Sequence, residues 1–296
     1  MRKNRFGLSV ALATPFAEDR SIDLQRLVAH GRQSLADGCS SLTVFGTTGE
    51  GASLGVNERN RALGALAGAG VDPGTQLVVG IAASSVEEAI AQGRAGLMLG
   101  CPSFLLAPPF YFKGAGEEGL FDWFAAVLTG LGPKAGNVVL YHIPQVTSVG
   151  LSMALVDRLK KAFPRQVTGV KDSSGDWDNA QALLKHHGEL HILIGDERLL
   201  AKAMNLGASG AITGLANIAP DLMKPLIDGI EEPRINAMVE AVLPYAVTPA
   251  VKALVGHRRK DAIAWSRMRA PLKSLGESDC LKLFAAIDAI RARRAA

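Results

Sequence analysis

Short apolar runs alternate with longer amphipathic segments along the first two thirds of the chain. Residues 8–13 form an apolar run stopped by Thr14-Pro15. Similar runs follow at 41–45, 76–81, 103–107, 137–141, 166–170, 191–194 and 210–213. Each is short and apolar throughout rather than alternating, the pattern of a strand covered on both faces. The segments between them carry apolar residues at helical spacing. Residues 23–36 set Leu24, Leu27, Val28 and Leu35 on one face and close at Gly38. Residues 117–129 do the same with Leu120, Phe124, Val127 and Leu128. Helices are likewise predicted over 57–69, 86–99, 152–163, 177–186 and 197–206.

Eight strand–helix units predict an α/β fold of the closed (β/α)8 kind, a TIM barrel. An open doubly wound sheet is the competitor, but the first strand is not followed by the G-x-G-x-x-G turn such a sheet uses. Beyond residue 219 no strand signal recurs, and 220–230, 234–244, 249–257, 262–270 and 278–293 read as helices. The expected organisation is a barrel over 1–218 with a C-terminal helical extension over 219–296 packed on it, which also offers an oligomer contact.

Composition narrows the function classes. With 296 residues, 48% apolar and 20% charged, the chain can bury a large core. Its net charge of +4 is small, and its basic residues are scattered apart from Arg258-Arg259-Lys260 and Arg291-Ala292-Arg293-Arg294. Both runs read as solvated helix ends, so no nucleic-acid partner is expected. Cys39, Cys101 and Cys280 form no CxxC pair and no disulfide framework, which fits a reducing cytoplasm. After the basic start at residues 1–5 the apolar run is too short for a signal core, and no stretch is long enough to span a membrane. His186, His187 and His191 lack metal-ligand spacing and read as solvated, so no metal is expected.

In a barrel the loops after the strands gather at one face, where the chemistry sits. The strand-closing residues therefore bring hydroxyls, a phenol and an amine together. Gly46-Thr47-Thr48-Gly49-Glu50-Gly51 combines turn-forming glycines, whose N–H groups can line a nest for a small carboxylate, with two hydroxyls. Tyr141 closes the fifth strand and Lys171 the sixth, so the two should be neighbours. A lysine there is either a snorkelling side chain or a buried amine held for attack on a ketone. Such attack needs an uncharged amine, and burial disfavours the charged form. Asp172 and His142, next in sequence, should point to the opposite face of their strands.

Taken together these motifs resemble the dihydrodipicolinate synthase / N-acetylneuraminate lyase superfamily. Gly46-Thr47-Thr48-Gly49-Glu50-Gly51, Tyr141-His142-Ile143-Pro144 and Gly169-Val170-Lys171-Asp172 match its motifs in order and spacing. The match runs from Leu12-Ala13-Thr14-Pro15-Phe16 to Arg269-Ala270-Pro271-Leu272. The resemblance implies a lyase, commonly a homotetramer built as a dimer of dimers. It implies that Lys171 forms a Schiff base with pyruvate or a related 2-oxo acid, needing no cofactor. By the same resemblance Tyr141 is the general acid and base, Thr47 relays protons, and Thr48 and the Gly49 turn bind the carboxylate. Tyr111 aligns with a tyrosine often lent to a neighbouring subunit, and Gly195 and Ile212 line the pocket. One position departs from the pattern. Synthases of lysine biosynthesis carry an arginine two residues after the proline, where this chain has Val146. A valine cannot grip a carboxylate as a guanidinium does. The expectation is therefore an aldolase, or a dehydratase of a 2-keto-3-deoxy acid, acting on another 2-oxo acid and an aldehyde-type partner. Dihydrodipicolinate synthase proper and a non-catalytic 2-oxo acid binder are the alternatives.

Overall fold

A computed structural model describes residues 5–293; residues 1–4 of the basic start and Arg294 of the second basic run lie outside it. The first half of the barrel is β1 (Gly7–Ala11), α1 (Leu24–Ala36), β2 (Ser41–Val44), α2 (Val56–Gly68), β3 (Leu77–Ile81), α3 (Val86–Leu97), β4 (Ser103–Leu106) and α4 (Glu117–Leu131). The second half is β5 (Asn137–His142), α5 (Pro144–Thr147), α6 (Met153–Ala162), β6 (Val167–Asp172), α7 (Trp177–His186), β7 (His191–Ile194), α8 (Glu197–Asn205) and β8 (Gly210–Thr213). Then follow α9 (Pro220–Ile227), α10 (Pro233–Val242), α11 (Val247–Arg259), α12 (Ala262–Trp265) and α13 (Glu277–Ala292).

The strands pair in chain order, all parallel, and β8 closes on β1. This is the (β/α)8 barrel that the apolar runs predict. Strands β2, β3 and β8 are buried at every position, and β7 at all but its first residue, His191, as befits strands between a barrel interior and a helix ring. The larger core lies between strands and helices, with Val10, Val44, Val79, Leu106 and Val170 meeting Leu27, Leu63, Phe124 and Leu159. A smaller core fills the interior with Ala11, Val78, Leu105, Val139, Leu193 and Ile212. Several helices start at side-chain caps: Asp23, Ser85, Ser152, Asp176 and Asp196 each accept an N–H of the first turn.

Helix α9 packs beside α8 and against β1, while α10 packs on α8, α11 and α13. No single helix among the described residues is long and apolar enough to cross a membrane; α10 and α11 pass that test only as a pair bent by 116°.

Three expectations need correcting. Strand β6 runs on through Lys171 and Asp172, so the lysine is held by the barrel ladder rather than projecting beyond it. The helix predicted over 262–270 stops at Trp265. Its continuation is held by other partners: Lys252 Nζ donates to the Arg267 carbonyl and Glu50 accepts the Arg269 N–H. His187 is fully buried rather than solvated, because the turn from α7 to β7 folds it inward, its N–H bonded to Leu183 and its carbonyl to Leu190.

Candidate active site at the carboxyl ends of the strands

Tyr141 and Lys171 are register partners on β5 and β6, so the ladder itself sets them side by side. Lys171 is only 5% exposed. Its Nζ lies 3.2 Å from the Tyr141 Oη and 4.3 Å from the centre of that ring. Thr47 Oγ1 lies 3.4 Å from the same phenol oxygen. Burial alone would push the Tyr141 pKa up. The charge of Lys171 and hydrogen bonds from Thr47, Lys171 and Ser173 outweigh it, and the phenol ends below its ordinary value. Asp172 faces away as strand alternation requires. Its carboxylate takes the Ser174 N–H and hydroxyl at 2.9 and 2.7 Å and the Asn179 amide at 2.9 Å. His142 also turns outward and accepts the Leu151 N–H at 3.0 Å. Burial lowers its pKa against the opposing pull of Asp172 and Asp176.

The Thr47–Thr48 loop is held hard from behind. It is bracketed by left-handed residues, Phe45 at φ 61° and Glu50 at φ 54°, conformations kept only where surroundings over-determine them. Arg59, fully buried under the loop, donates to the Leu54, Gly80 and Gly51 carbonyls at 3.1, 2.7 and 2.6 Å. Desolvation pushes its pKa down to about 10. A Cβ on Gly51 would sit 1.7 Å from the Phe45 carbonyl oxygen, so only glycine fits there. Glu50 reaches the opposite way, to Lys252 of α11 at 2.6 Å. Thr248 Oγ1 donates to the Thr47 carbonyl at 3.2 Å. The loop is thus pinned to the C-terminal helices on one side and to β3 on the other.

These groups border two lobes of one mouth, of about 240 and 460 Å³, which share Thr47, Tyr141, Ile143, Val146, Val247 and Thr248. Lys171, Thr48, Gly195 and Ile212 line the smaller lobe, so seven of the nine residues singled out from sequence meet there. Gly49 and Tyr111 do not. Gly49 packs behind the wall, where a Cβ would lie 2.7 Å from the Leu12 carbonyl oxygen, and its own carbonyl accepts the Thr14 hydroxyl at 2.7 Å. Its glycine is demanded by close packing. Tyr111 is 73% exposed, edge-on to Phe112, on the loop after β4.

Sequence reasoning missed three contributions. Ser173 lines the lobe and bonds the phenol; Gly195 makes room for it, since a Cβ there would meet Ser173 Oγ at 2.0 Å. Glu197, the first residue of α8, lines the same lobe and takes the Thr213 hydroxyl and the Leu215 N–H. Burial raises its pKa, and the neighbouring Asp196 adds to the rise against those hydrogen bonds. Val239, Val242 and Leu243 of the α10 end, with Val247 and Val251 of α11, form an apolar roof opposite Lys171. The strand-end position of Gly195-Asp196-Glu197 was a signal for the second; nothing local marked the roof.

The barrel and the chain's relatives make it a lyase of the class I aldolase type. The chain belongs to the dihydrodipicolinate synthetase family, whose model matches residues 4–287. A DapA-like lyase of Chloroflexus aurantiacus is 33% identical over 301 aligned positions, covering 97% of each chain. The crystal structure of a dihydrodipicolinate synthase from Agrobacterium tumefaciens is 47% identical, with a TM-score of 0.93 over 97% of this chain and 99% of that one. A 2-keto-3-deoxygluconate aldolase variant of Sulfolobus solfataricus, 19% identical, shares the fold with a TM-score of 0.82 over 97% of this chain and 96% of that one.

Proposed function

We propose that Lys171 is the Schiff-base residue, that pyruvate or a related 2-oxo acid is its partner, and that the second substrate is an uncharged aldehyde. The amine adds to the keto carbon, the former keto oxygen takes up protons and leaves as water, and a protonated imine remains. That imine draws electrons from the adjacent carbon, so a C–C bond to an aldehyde carbon there forms or breaks. Tyr141 carries protons between nitrogen, leaving oxygen and aldehyde oxygen, with Thr47 as the next station. Thr48 holds the carboxylate of the 2-oxo acid at the edge of the lobe. The observation that carries the reading is the 3.2 Å contact of a buried amine with a phenol at the wall of the mouth. Incubation with pyruvate and borohydride should add one reduced adduct, found by peptide mass spectrometry on Lys171. An unmodified Lys171, under conditions that label another family member, overturns the assignment.

The case for an uncharged aldehyde rests on the rest of the lining. Lys171 is the only lysine or arginine among the described residues bordering the two lobes, whose acidic side chains are Glu50, Asp196 and Glu197. Val146, 56% exposed on α5, stands beside the opening. A second carboxylate would meet no guanidinium, while a hydroxyl could meet Glu197 and an alkyl or aryl group the valine roof. On this reading the barrel of residues 1–218 supplies the amine and phenol, and the extension of residues 219–296 supplies the roof. Dihydrodipicolinate synthesis is the second reading, favoured by the 47% identity to the Agrobacterium tumefaciens protein of that name. Condensation of pyruvate with aspartate semialdehyde faster than with any neutral aldehyde decides for it. Family likeness further supports a cytoplasmic homotetramer in which Tyr111 reaches a neighbouring subunit's mouth; sedimentation and a Tyr111→Phe variant test that arrangement.

A further inference from the structure

The basic run at the end of α11 does not simply face solvent. Arg258 and Arg259 reach back across α1, where they border a cavity of about 320 Å³ together with Gln33, Ser34, Asp37 and Asn217. The two arginines differ in what they find there. Arg258 donates to the Ile218 carbonyl and to Asp37 at 3.3 Å. Arg259 places Nη2 2.7 Å from His30 Nδ1 and, among the described residues, forms no ion pair. His30 offers no charge in return. It is 1% exposed, and burial, with the charges of Arg259 and Arg258, holds its pKa at about 3 against the hydrogen bond to Asn217. Its Nε2 lies 2.8 Å from Asn217 Oδ1. That oxygen also takes the Ala13 N–H at 3.0 Å, while the Asn217 amide donates to the Ala11 and Gly214 carbonyls at 2.8 Å each. Oδ1 can only accept, so Nε2 carries the ring proton and Nδ1 accepts from Arg259.

The walls are thus fixed, and one half-buried guanidinium has charge and donors to spare. Gln33 is already bonded to Asp37 at 2.7 Å, and Ser34 to the His30 carbonyl at 2.9 Å. Arg258 and Asp37 cancel, which leaves one positive charge in the cavity. A guanidinium edge offers paired N–H groups in the geometry of a carboxylate. The volume exceeds that of a single ion: at about 30 Å³ per water, it corresponds to roughly ten waters.

We infer that this cavity between α1 and α11 is a second ligand site, distinct from the catalytic mouth, and that it takes a small monocarboxylate on Arg259. Calorimetric titration of the intact protein with acetate, lactate, benzoate and inorganic phosphate, pyruvate being left out, tests it. At least one of the three acids should bind saturably. Its affinity should fall about tenfold or more in Arg259→Gln, since a charge-assisted hydrogen bond of that kind is replaced by a neutral one. Gln keeps a donor for His30, and thermal unfolding of Arg259→Gln beside Arg259→Ala separates loss of the ligand from loss of the fold. The inference is overturned if none of the acids binds. It is equally overturned if a folded Arg259→Gln binds them as the wild type does, or if phosphate binds more tightly than every monocarboxylate. Adduct formation at Lys171 is measured separately and bears on neither outcome.

Discussion

Two buried lysines show what burial does and does not confer. Lys171 is 5% exposed and Lys252 1%, and each amine sits over an aromatic ring, 4.3 Å from Tyr141 and 4.4 Å from Phe16. Their polar partners differ completely. Lys252 gives one proton to Glu50 and another to the Arg267 carbonyl, both at 2.6 Å. Glu50 is in turn closed by the Arg269 N–H at 2.9 Å. Two of that amine's three donors are thus taken, one of them by a carboxylate; it fastens the Thr47–Thr48 loop to α11. Lys171 touches a phenol at 3.2 Å and otherwise faces an open lobe, with Asp172 turned to the other side of its strand. The difference lies in what each nitrogen faces, since burial is nearly the same. A lysine held by a carboxylate is a fastener, and one left beside a weak acid and a cavity is available to a carbonyl.

The largest test of that contrast exchanges the two defects. Lys171→Ala should lose all borohydride-trapped adduct and lower turnover by several orders of magnitude, while its unfolding midpoint stays near that of the wild type. Lys252→Ala should do the opposite. It strands the Glu50 carboxylate in the interior at a cost of about 3–5 kcal/mol, read by denaturant unfolding, while pyruvate still labels Lys171 in whatever fraction remains folded. An alanine at 171 that unfolds the chain, or one at 252 that leaves stability unchanged, breaks the comparison. Next in size is Tyr141→Phe. Removing the phenol should slow turnover by about 10²–10⁴-fold with little change in stability, since the ring and its packing remain. Unchanged turnover would remove Tyr141 from the proton path. A smaller effect follows from repairing the fastener. Lys252→Met combined with Glu50→Gln should recover part of the stability lost in Lys252→Ala, because a neutral pair carries no buried charge to solvate; no recovery would mean that the loop needs the ion pair itself.

The parts of the molecule that were legible in the sequence are those fixed by local pattern. β7, β8 and α7 fall at the expected residues because a doubly covered strand and an amphipathic helix each have their own period. The pairing of Tyr141 with Lys171 was legible too, since parallel strands joined by one helix lie side by side. What escaped is set by contacts distant in the chain. The valine roof over Lys171 comes from α10 and α11, and Thr248 is 201 residues away from the Thr47 carbonyl it binds. No window of sequence contains both partners. Gly49 entered the expected site because it sits inside a motif, yet its glycine is explained by the Leu12 carbonyl behind it. His187 was read as solvated because its cluster lacks metal-ligand spacing, and the fold of the α7–β7 turn decided otherwise. The α5 turn was missed because four residues are too few for a period; its mark is Pro144 at the first helical position.

The finest test concerns the weak acid that makes Lys171 different from Lys252. The Tyr141 phenol lies below its ordinary pKa even though burial acts to raise it, because Lys171 and the Thr47 and Ser173 hydroxyls stabilise the phenolate. Above that pKa the phenol is charged and has no proton to give, so turnover should fall on the alkaline side. Ser173→Ala removes one donor to the phenolate and nothing from the ring. The phenol should then hold its proton to higher pH, and the alkaline limb of turnover should move upward. One neutral hydrogen bond contributes about 0.5–1.5 kcal/mol and one pKa unit equals about 1.4 kcal/mol, so the move should be about one unit or less. Tyrosinate absorbance, taken as the difference between Ser173→Ala and the same variant carrying Tyr141→Phe, reads the ionisation directly and separates it from Tyr111 and Tyr245. A limb that stays fixed while the absorbance shifts would mean another group limits the alkaline rate. A limb and absorbance that both move to lower pH would mean Ser173 bonds the protonated phenol instead, and the stabilised phenolate would lose its third donor.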